Sequence, residues 1–246
     1  MRVTVIICAH NEERIVDLCL PSLARAVARY QHQMIVVADR CTDRTVEKSR
    51  RYKVVVVEKN YRKWRNSYAE SLQLGLKHAK GKYIAIIDMD VVIPFDFFNV
   101  LLPMIRKSVV SVSPMVSTYP SGVLNSIVST WQKTYKLAPT GRGTYGIRVI
   151  LKDALDEIGG FKDVLAVDTN VDLRLEQKGF QSIFTPLIRV YHMRRETWNS
   201  IVKKQIRAGQ SRRMIRYGLL KTLAHAVLRF RPFVIAGWII GGGERK

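Results

Sequence analysis

The chain has 246 residues, of which 47% are apolar and 25% are charged, as is ordinary for one large soluble α/β domain. Its 41 Lys and Arg residues outnumber its 20 Asp and Glu residues, which gives a formal net charge of +21. Such a field attracts nucleic acid, an anionic membrane surface or nucleotide phosphates. No RNA-recognition or helix-turn-helix signature is present, so the charge alone indicates no specific nucleic-acid partner.

The cysteines and the amino terminus suggest a compartment. Cys8, Cys19 and Cys41 lack the spacing of a zinc site or a disulfide framework, which favours a reducing environment. A strand pattern begins at Arg2 without a signal-peptide pattern, and no apolar run reaches the roughly 18 residues of a spanning helix. The sequence therefore predicts a cytoplasmic protein, with peripheral attachment to the inner face of the cell membrane left open.

Strand and helix patterns alternate over the first 90 residues. The predicted strands are 2–8, 34–38, 53–58 and 83–87. Of the predicted helices between them, the first is capped by Asn11, the second begins at residue 45 and the third begins at residue 66. This alternation predicts right-handed crossovers and a Rossmann-like, mostly parallel sheet flanked by helices. Ligands are then expected at the carboxyl ends of the strands.

The pattern is looser beyond residue 92. Helices are predicted at 95–106, 123–135, 152–158, 168–178 and 195–216, strands at 109–113, 144–150 and 182–191, and a glycine-rich loop at 139–146. No linker or repeat interrupts the chain. We therefore predict one domain over residues 1–215 and a basic, apolar extension over residues 216–246.

Two carboxylates, Asp88 and Asp90, follow the predicted buried strand 83–87. In an extended chain alternate side chains share a face, so these two point the same way while Met89 points back. Two bare carboxylates would repel each other, whereas Mg²⁺ or Mn²⁺ carrying phosphate oxygens removes that conflict. A metal site and a pair of solvated turn residues are both consistent with this motif alone.

Polar residues also end the three preceding strands. Asn11 and Glu12 follow the first, Asp39 ends the second, and Glu58 and Asn60 mark the third. Because these ends meet at one edge of a parallel sheet, a nucleotide-sized site is expected there. Neither GxGxxG nor GxxxxGK[ST] is present, so a dinucleotide or P-loop site is not supported. Asp39, at the end of the second strand, either accepts a hydrogen bond from the ring N–H of a nucleotide base or forms the turn after the strand.

Five motifs follow one another along residues 3–213: VTVIICAHNEE, VVADRCTDRT, GKYIAIIDMD, IGGF at 158–161 and DTNVDLRLEQKGF at 168–180. In this order they resemble the family 2 glycosyltransferases, which have the nucleotide-diphospho-sugar transferase (GT-A) fold. The resemblance implies a metal-dependent, inverting transfer of a hexose from a UDP- or GDP-sugar to an acceptor hydroxyl. Mg²⁺ or Mn²⁺ would stabilise the diphosphate leaving group.

The resemblance also implies roles for individual residues. The nucleoside would be held by Ala9, Asn11, Glu12, Asp39, Arg65 and Asp88, with Glu12 at the ribose and Asp39 at the base. The metal would be held by Asp90, Asp88 and His192. A lid over the diphosphate would contain Gln205, Arg207, Arg212 and Arg213. A structural role for the histidine, a helix-dipole role for Glu12 and a solvated or membrane-facing basic helix in place of the lid stay open.

The general base is where the chain departs from the family pattern. The family has a Glu-Asp pair shortly before an Asp-Leu, and alignment on Asp172 puts Thr169 and Asn170 at that pair. Asp168 lies one or two positions early and is the first carboxylate of the segment. We therefore favour Asp168 over Asp172 as the base; Asp172 is either the alternative base or a helix-start residue capped by Asn170.

Two other functions stay open. A sugar-phosphate nucleotidyltransferase would share the fold, but it usually has a glycine-rich loop with Arg and Lys after the first strand, where this chain has AHNEE. A non-catalytic basic module that binds RNA or membrane would explain the charge but not the acidic strand ends.

The carboxyl-terminal region predicts contact with a membrane surface. Residues 203–216 include six basic residues and no acidic one, and the short apolar run that follows contains Trp238. Such a segment is typical of an interfacial helix, so a lipid-linked or membrane-proximal acceptor is expected. Alternatively, these apolar residues cover the back of the sheet or form a homodimer contact.

Overall fold

The computed structural model describes residues 2–133, 146–214 and 216–241. Strands in these ranges are β1 (Arg2–Ala9), β2 (Gln31–Asp39), β3 (Val55–Lys59), β4 (Tyr83–Asp88), β5 (Val91–Val92), β6 (Val109–Thr118), β7 (Arg148–Leu151) and β8 (Gln181–His192). The helices are α1 (Val16–Val27), α2 (Thr45–Ser49), α3 (Ser67–His78), α4 (Phe97–Leu101), α5 (Val123–Lys133), α6 (Lys152–Glu157), α7 (Val167–Gln177), α8 (Trp198–Met214), α9 (Leu219–Leu228) and α10 (Phe233–Ile240).

The chain divides into two compact units. The first contains residues 1–117 and 140–193 and carries the central sheet; the second contains residues 118–139 and 194–246 and carries α8, α9 and α10. The predicted boundary at residue 215 stays a prediction. Within the described ranges, no helix combines the length and the apolar character needed to cross a bilayer.

The sheet has eight strands in the order β3-β2-β1-β4-β7-β6-β8-β5. β1 is parallel to β2 and to β4, and β2 is parallel to β3, because each of the connections between them contains a helix. β7 is antiparallel to β4 and β6, and β8 is antiparallel to β5. This architecture confirms the predicted α/β fold class, with the parallel half of the sheet in the first 90 residues.

Alternation along the strands separates two apolar layers. On β4, Ala85 and Ile87 belong to the layer that includes α1 and α4, whereas Ile84 and Ile86 belong to the layer that includes α3, α6 and α7. A strand places every second side chain on the same face. Asp88 therefore continues the α3 and α7 side of the sheet beyond Ile86, which determines the neighbours it has in the site.

Several predicted element boundaries differ from the structure. Asn11 does not cap a helix: it has φ +55°, and α1 begins five residues later. The predicted helix 95–106 is the short α4 followed by a 3-10 turn at Leu102–Met104, where Pro103 occupies the first turn. Asn66 does cap α3, because its side chain accepts two backbone N–H bonds. The predicted loop 139–146, except its last residue, and the end of the predicted helix 123–135 lie outside the described residues.

Candidate active site

Strand register brings the polar strand ends to one edge of the sheet. Cys8 is paired with Asp88 between β1 and β4, and Asp39 is paired with Lys59 between β2 and β3. Burial, and then the Asp88 and Asp39 carboxylates, raise the pKa of the Cys8 thiol. The Asp88 and Asp39 carboxylates therefore both lie close enough to Cys8 to disfavour its thiolate.

A group with metal-ligating chemistry lies at this edge. One ligand atom from each of Asp88, Asp90 and His192 lies within 4.8 Å of the others. Asp90 is buried, and its Oδ1 is 3.1 Å from Nδ1 of His192. His192 is the last residue of β8 and is paired with Val91 of β5. The backbone N–H of Met193 donates to the Asp90 carbonyl at 2.8 Å. The antiparallel pairing of β5 with β8 thus joins residues about a hundred positions apart.

Asp39 is the centre of a compact polar network. Its Oδ1 lies 2.9 Å from Nζ of the fully buried Lys59 and 2.8 Å from Nε of Arg40. Its Oδ2 accepts from Oγ of Ser67 at 2.5 Å and from Nη2 of Arg40 at 3.3 Å. Lys59 also pairs with Glu70 of α3 at 3.1 Å, so the buried ammonium is shared by two carboxylates.

This network determines the charge of Asp39. Burial raises the pKa of the carboxyl, but the bonds from Arg40, Ser67 and Lys59 outweigh burial and lower the pKa of Asp39 to about 2. The side chain is therefore an ionised acceptor at neutral pH. Asp39 ends β2, next to the point between β1 and β4 where the strand order reverses. Open α/β sheets bind nucleotides at such a point.

A cavity of about 190 Å³ lies beside the acidic edge, and Asp88 and Asp168 both line it. Asn66 and Tyr68 of α3 and Arg148 of β7 contribute the other polar side chains, while apolar residues of α3, β4 and α7 contribute most of the remaining wall. Burial, and then the charge of the nearby Asp88 carboxylate, raise the pKa of Tyr68. Two carboxylates, one belonging to the metal-ligating group and one in the first turn of α7, therefore face the same space.

Asp172 lies one turn further along α7 and has a different environment. Its Oδ1 is 2.6 Å from Nη1 of Arg148, and both side chains are buried. Burial raises the pKa of Asp172, although the Arg148 guanidinium opposes the rise. The expected cap at Asn170 is wrong, because α7 begins at Val167 and the side chain of Asn170 accepts from Arg174 inside the helix. Asp172 is thus an internal helical residue in a buried ion pair.

The family described as Glycosyl transferase family 2 matches residues 4–162, which is more than half of the chain. The chain belongs to this family. No similar sequence was found among the curated proteins.

Solved glycosyltransferases have the same fold as this family 2 chain. The mannosyltransferase PcManGT from Pyrobaculum calidifontis, in complex with GDP-Man and Mn²⁺, is 21% identical with a TM-score of 0.67; the alignment covers 94% of this chain and 67% of that one. The glucosyl-3-phosphoglycerate synthase from Mycobacterium tuberculosis, in complex with Mg²⁺ and uridine-diphosphate, is 16% identical with a TM-score of 0.62, over 87% of this chain and 77% of that one. These similarities confirm the GT-A fold.

The remaining nucleoside residues expected from the family 2 motifs lie on or beside the same edge. Ala9 ends β1, and its carbonyl accepts from the Cys41 thiol at 3.6 Å. The side chain of Asn11 bonds the backbone N–H of Thr42 at 2.8 Å, and the backbone N–H of Glu12 donates to Oγ1 of Thr45 at 2.7 Å. Arg65 is exposed; its backbone N–H donates to Asp163 at 2.9 Å, and its carbonyl accepts from the Arg62 guanidinium. Their nucleoside contacts stay predictions.

The predicted lid residues have partners inside the helical unit. The side-chain oxygen of Gln205 accepts from the backbone N–H of Phe233 at 3.2 Å, and Nη2 of Arg212 lies 2.9 Å from Nδ1 of His225. The guanidinium of Arg213 covers the ring of Trp238 at 3.8 Å. Arg207 is exposed. Contact of these four residues with a diphosphate stays a prediction.

Several polar residues of the site are not among the sequence predictions. Lys59 ends the valine-rich β3, Tyr68 fits the apolar spacing of α3, and Arg148 lies in the short β7. Lys59 and Arg148 are the two largest fully buried side chains of the described chain. A basic residue inside a predicted strand, as at Arg148, or directly after one, as at Lys59, was the available signal, since buried Lys and Arg are normally paired with a carboxylate.

Proposed function

We propose that this family 2 glycosyltransferase transfers a hexose, with inversion, from a UDP- or GDP-sugar to an acceptor hydroxyl. The observation that carries the proposal is the placement of Asp168 across one cavity from Asp88, which itself belongs to the Asp88, Asp90 and His192 group. The arrangement puts a metal-ligating set and a separate carboxylate on the same reaction space. It supports the transferase over a nucleotidyltransferase, which needs no general base for an acceptor hydroxyl.

The donor set fits a divalent cation. Two carboxylates and an imidazole suit Mn²⁺, and the carboxylates alone suit Mg²⁺, which prefers oxygen ligands. We infer that Asp90 and His192 hold the ion and that Asp88 binds it directly or through water. When bound, the ion supplies charge stabilisation for the diphosphate leaving group. The solved mannosyltransferase that shares this fold was determined with GDP-Man and Mn²⁺.

Asp168 is the base in this proposal. Its position in the first turn of α7 leaves it half-buried and beside the cavity, whereas Asp172 is committed to Arg148. Asp168 accepts the proton of the acceptor hydroxyl as the oxygen attacks the anomeric carbon from the side opposite the diphosphate. The transition state has oxocarbenium character, as in other glycosyl chemistry.

A donor-binding experiment tests the metal site. Calorimetric titrations of UDP and GDP, with Mn²⁺ and with EDTA, should show metal-dependent binding to the wild type. Asp90→Ala should abolish the metal dependence because it removes the buried ligand. Asp156→Ala, which removes a carboxylate paired with Lys152 on the surface, is the matched control and should leave binding unchanged. Equal affinity of the wild type with Mn²⁺ and with EDTA, or an unchanged Mn²⁺ dependence in Asp90→Ala, would contradict the metal role.

A second pair of variants tests the base. Asp168→Asn should reduce turnover by orders of magnitude with nearly unchanged donor affinity, because the lost interaction forms on the way to the transition state. A panel of UDP- and GDP-sugars assayed for donor hydrolysis identifies the donor. If Asp172→Asn produces this separation in a folded protein and Asp168→Asn does not, the base is assigned to the wrong carboxylate.

We further propose that the acceptor is lipid-linked and that the second unit binds an anionic membrane surface. Four of its apolar side chains are strongly exposed: Leu220 (82%), Leu228 (77%), Phe230 (74%) and Val227 (71%). They lie on α9 and in the turn before α10. Residues 197–241 contain no Asp or Glu, and their basic residues are Lys203, Lys204, Arg207, Arg212, Arg213, Arg216, Lys221, Arg229 and Arg231. Exposed apolar residues with basic neighbours describe an interfacial surface.

Trp238 has a different role from the expected membrane anchor. Its indole N–H donates to the carbonyl of Tyr217 at 2.7 Å, and the Arg213 guanidinium covers its ring. Gly209 and Gly237 let α8 and α10 pack with their backbones in contact, since a Cβ at Gly209 would lie 2.1 Å from the Val234 carbonyl oxygen. These contacts hold α10 on α8 and leave the apolar residues of α9 to meet the bilayer.

Vesicle sedimentation tests the membrane surface. The wild type should sediment with anionic liposomes at low salt and less at high salt, because screening weakens the contact of basic residues with lipid. Leu220→Glu/Val227→Glu should stay in the supernatant. Leu187→Glu on β8, at an equally exposed leucine (77%), is the matched control and should sediment like the wild type. If the wild type stays in the supernatant and light scattering gives a dimer, the apolar residues form a homodimer contact instead.

A further inference from the structure

Every acceptor position of Asp39 is already used. An ionised carboxylate has about four lone-pair sites, two on each oxygen. Oδ1 faces Lys59 and Nε of Arg40, and Oδ2 faces Ser67 and Nη2 of Arg40, at 2.5 to 3.3 Å. An incoming base whose ring N–H bonds this carboxylate must therefore displace one of the three donor side chains.

Arg40 is the donor that can be displaced. Its side chain is 39% exposed, whereas the Lys59 side chain is fully buried and is also held by Glu70. Ser67 belongs to the first turn of α3 and has one short bond to the carboxylate. Arg40 also has φ +50°, in the left-handed region that non-glycine residues rarely adopt. Its backbone N–H is anchored to the Lys59 carbonyl at 2.9 Å, so displacement moves the side chain alone.

We propose that Arg40 selects the nucleotide base: the base takes its place on the Asp39 carboxylate, and the displaced guanidinium donates to the carbonyl oxygen next to the bound ring N–H. This inference rests on the proposed function, because it takes Asp39 as the acceptor for the base. It assigns to this chain a preference for uracil and guanine over cytosine and adenine.

The preference follows from the order of groups along the base edge. Uracil and guanine place a carbonyl oxygen beside a ring N–H, so a carboxylate and a neighbouring guanidinium are both satisfied. Cytosine and adenine have the opposite arrangement: an exocyclic amino group replaces the carbonyl oxygen, and an unprotonated ring nitrogen with a lone pair replaces the ring N–H. In the same position these bases put a donor against Arg40 and a lone pair against Asp39, which leaves buried polar groups unpaired.

Base discrimination is measured by calorimetric titration of UDP, GDP, CDP and ADP in the presence of Mn²⁺. The wild type should bind the better of UDP and GDP at least about tenfold more tightly than CDP and ADP, the scale of one charge-assisted hydrogen bond. Arg40→Ala should reduce this ratio by about tenfold. The ratio is the informative quantity, because the contributions of the ribose, the diphosphate and the cation are common to all four nucleotides and cancel.

Two further variants complete the experiment. Arg50→Ala removes an equally charged, exposed arginine that pairs with Glu58, and its ratio should match the wild type. Arg40→Lys keeps the charge without the planar fork and should also lose discrimination. An Arg40→Ala ratio within twofold of the wild type, or a wild type that binds CDP or ADP best, overturns the inference while nucleotide binding supports the proposed function. A wild type that binds none of the four nucleotides refutes the proposed function itself.

Discussion

Asp172→Asn should destabilise the protein much more than it alters the chemistry. The substitution keeps the shape of the side chain but removes its charge. Arg148, which is 1% exposed and whose Nη1 lies 2.6 Å from the carboxylate, then keeps a positive charge in the interior without this partner. Because a buried charge is strongly disfavoured in a low-dielectric interior, the free energy of unfolding should fall.

The magnitude follows from the burial of both partners. Removal of one member of a buried ion pair costs up to about 3–5 kcal/mol, whereas an exposed pair contributes about 0–1 kcal/mol. Burial raises the pKa of Asp172 and so offsets part of that cost, because the interior already disfavours its ionised form. Proteins have total stabilities of about 5–15 kcal/mol, so the loss is a large share of the whole. Asp156→Asn breaks the exposed pair with Lys152 and is the matched control, with an expected loss below about 1 kcal/mol.

Urea unfolding of Asp172→Asn, Asp156→Asn, Arg148→Met and the double variant Arg148→Met/Asp172→Asn measures the effect. The double variant removes both charges, so it should lose less than the sum of Asp172→Asn and Arg148→Met. If Asp172→Asn is as stable as Asp156→Asn, the buried pair contributes nothing and the reasoning is refuted. If Asp172→Asn is also fully stable but inactive, Asp172 becomes the better candidate for the base.

Three other perturbations have expected outcomes. Burial and the Arg212 guanidinium lower the pKa of His225 to about 4, so its contribution to stability is complete above about pH 6.5 and is lost as pH falls towards 4; thermal unfolding of His225→Leu against pH should lack this loss. Gly209→Ala should lower the unfolding free energy by about 1–3 kcal/mol because its Cβ meets α10 backbone, and Gly218→Ala, with open space around it, should not. Asp163→Ala removes the acceptor of two backbone N–H groups before α3 and should speed amide exchange there without unfolding the sheet.

The fold was predictable because its signals are local and repeated. Four buried-strand patterns separated by helical spacing specify a parallel sheet, and the carboxyl ends of parallel strands share an edge. That reasoning predicts that Asp39 and Asp88 share one edge. The structure also places His192 beside Asp90, but the expectation for that pair comes from the family resemblance, since no local pattern links residues about a hundred positions apart.

The rest of the site depends on side chains that meet only in three dimensions. Nothing around Arg148 in sequence shows that Asp172 lies opposite it, and the two expected roles for Asp172, base or capped helix start, were weighed without that partner. In the sequence, Arg40 is typical of a turn, and only the structure shows its two hydrogen bonds to Asp39. Element ends were missed for a similar reason: Asn11 is a cap residue by type, but its side chain bonds Thr42 across the sheet edge instead.

The first turn of α3 connects the two halves of the candidate site. Asn66 caps the helix, Ser67 donates to Asp39, and Tyr68 lines the same cavity as Asp88. Consecutive residues at the start of this helix thus lie beside the carboxylate expected at the nucleotide base and beside Asp88 of the metal-ligating group. A helical turn is rigid when its cap is satisfied, so a shift at one carboxylate is transmitted to the other through about one turn of backbone. Binding of the nucleoside at Asp39 and of the cation beside Asp88 should therefore be energetically coupled, although the two carboxylates end strands that are not neighbours in the sheet.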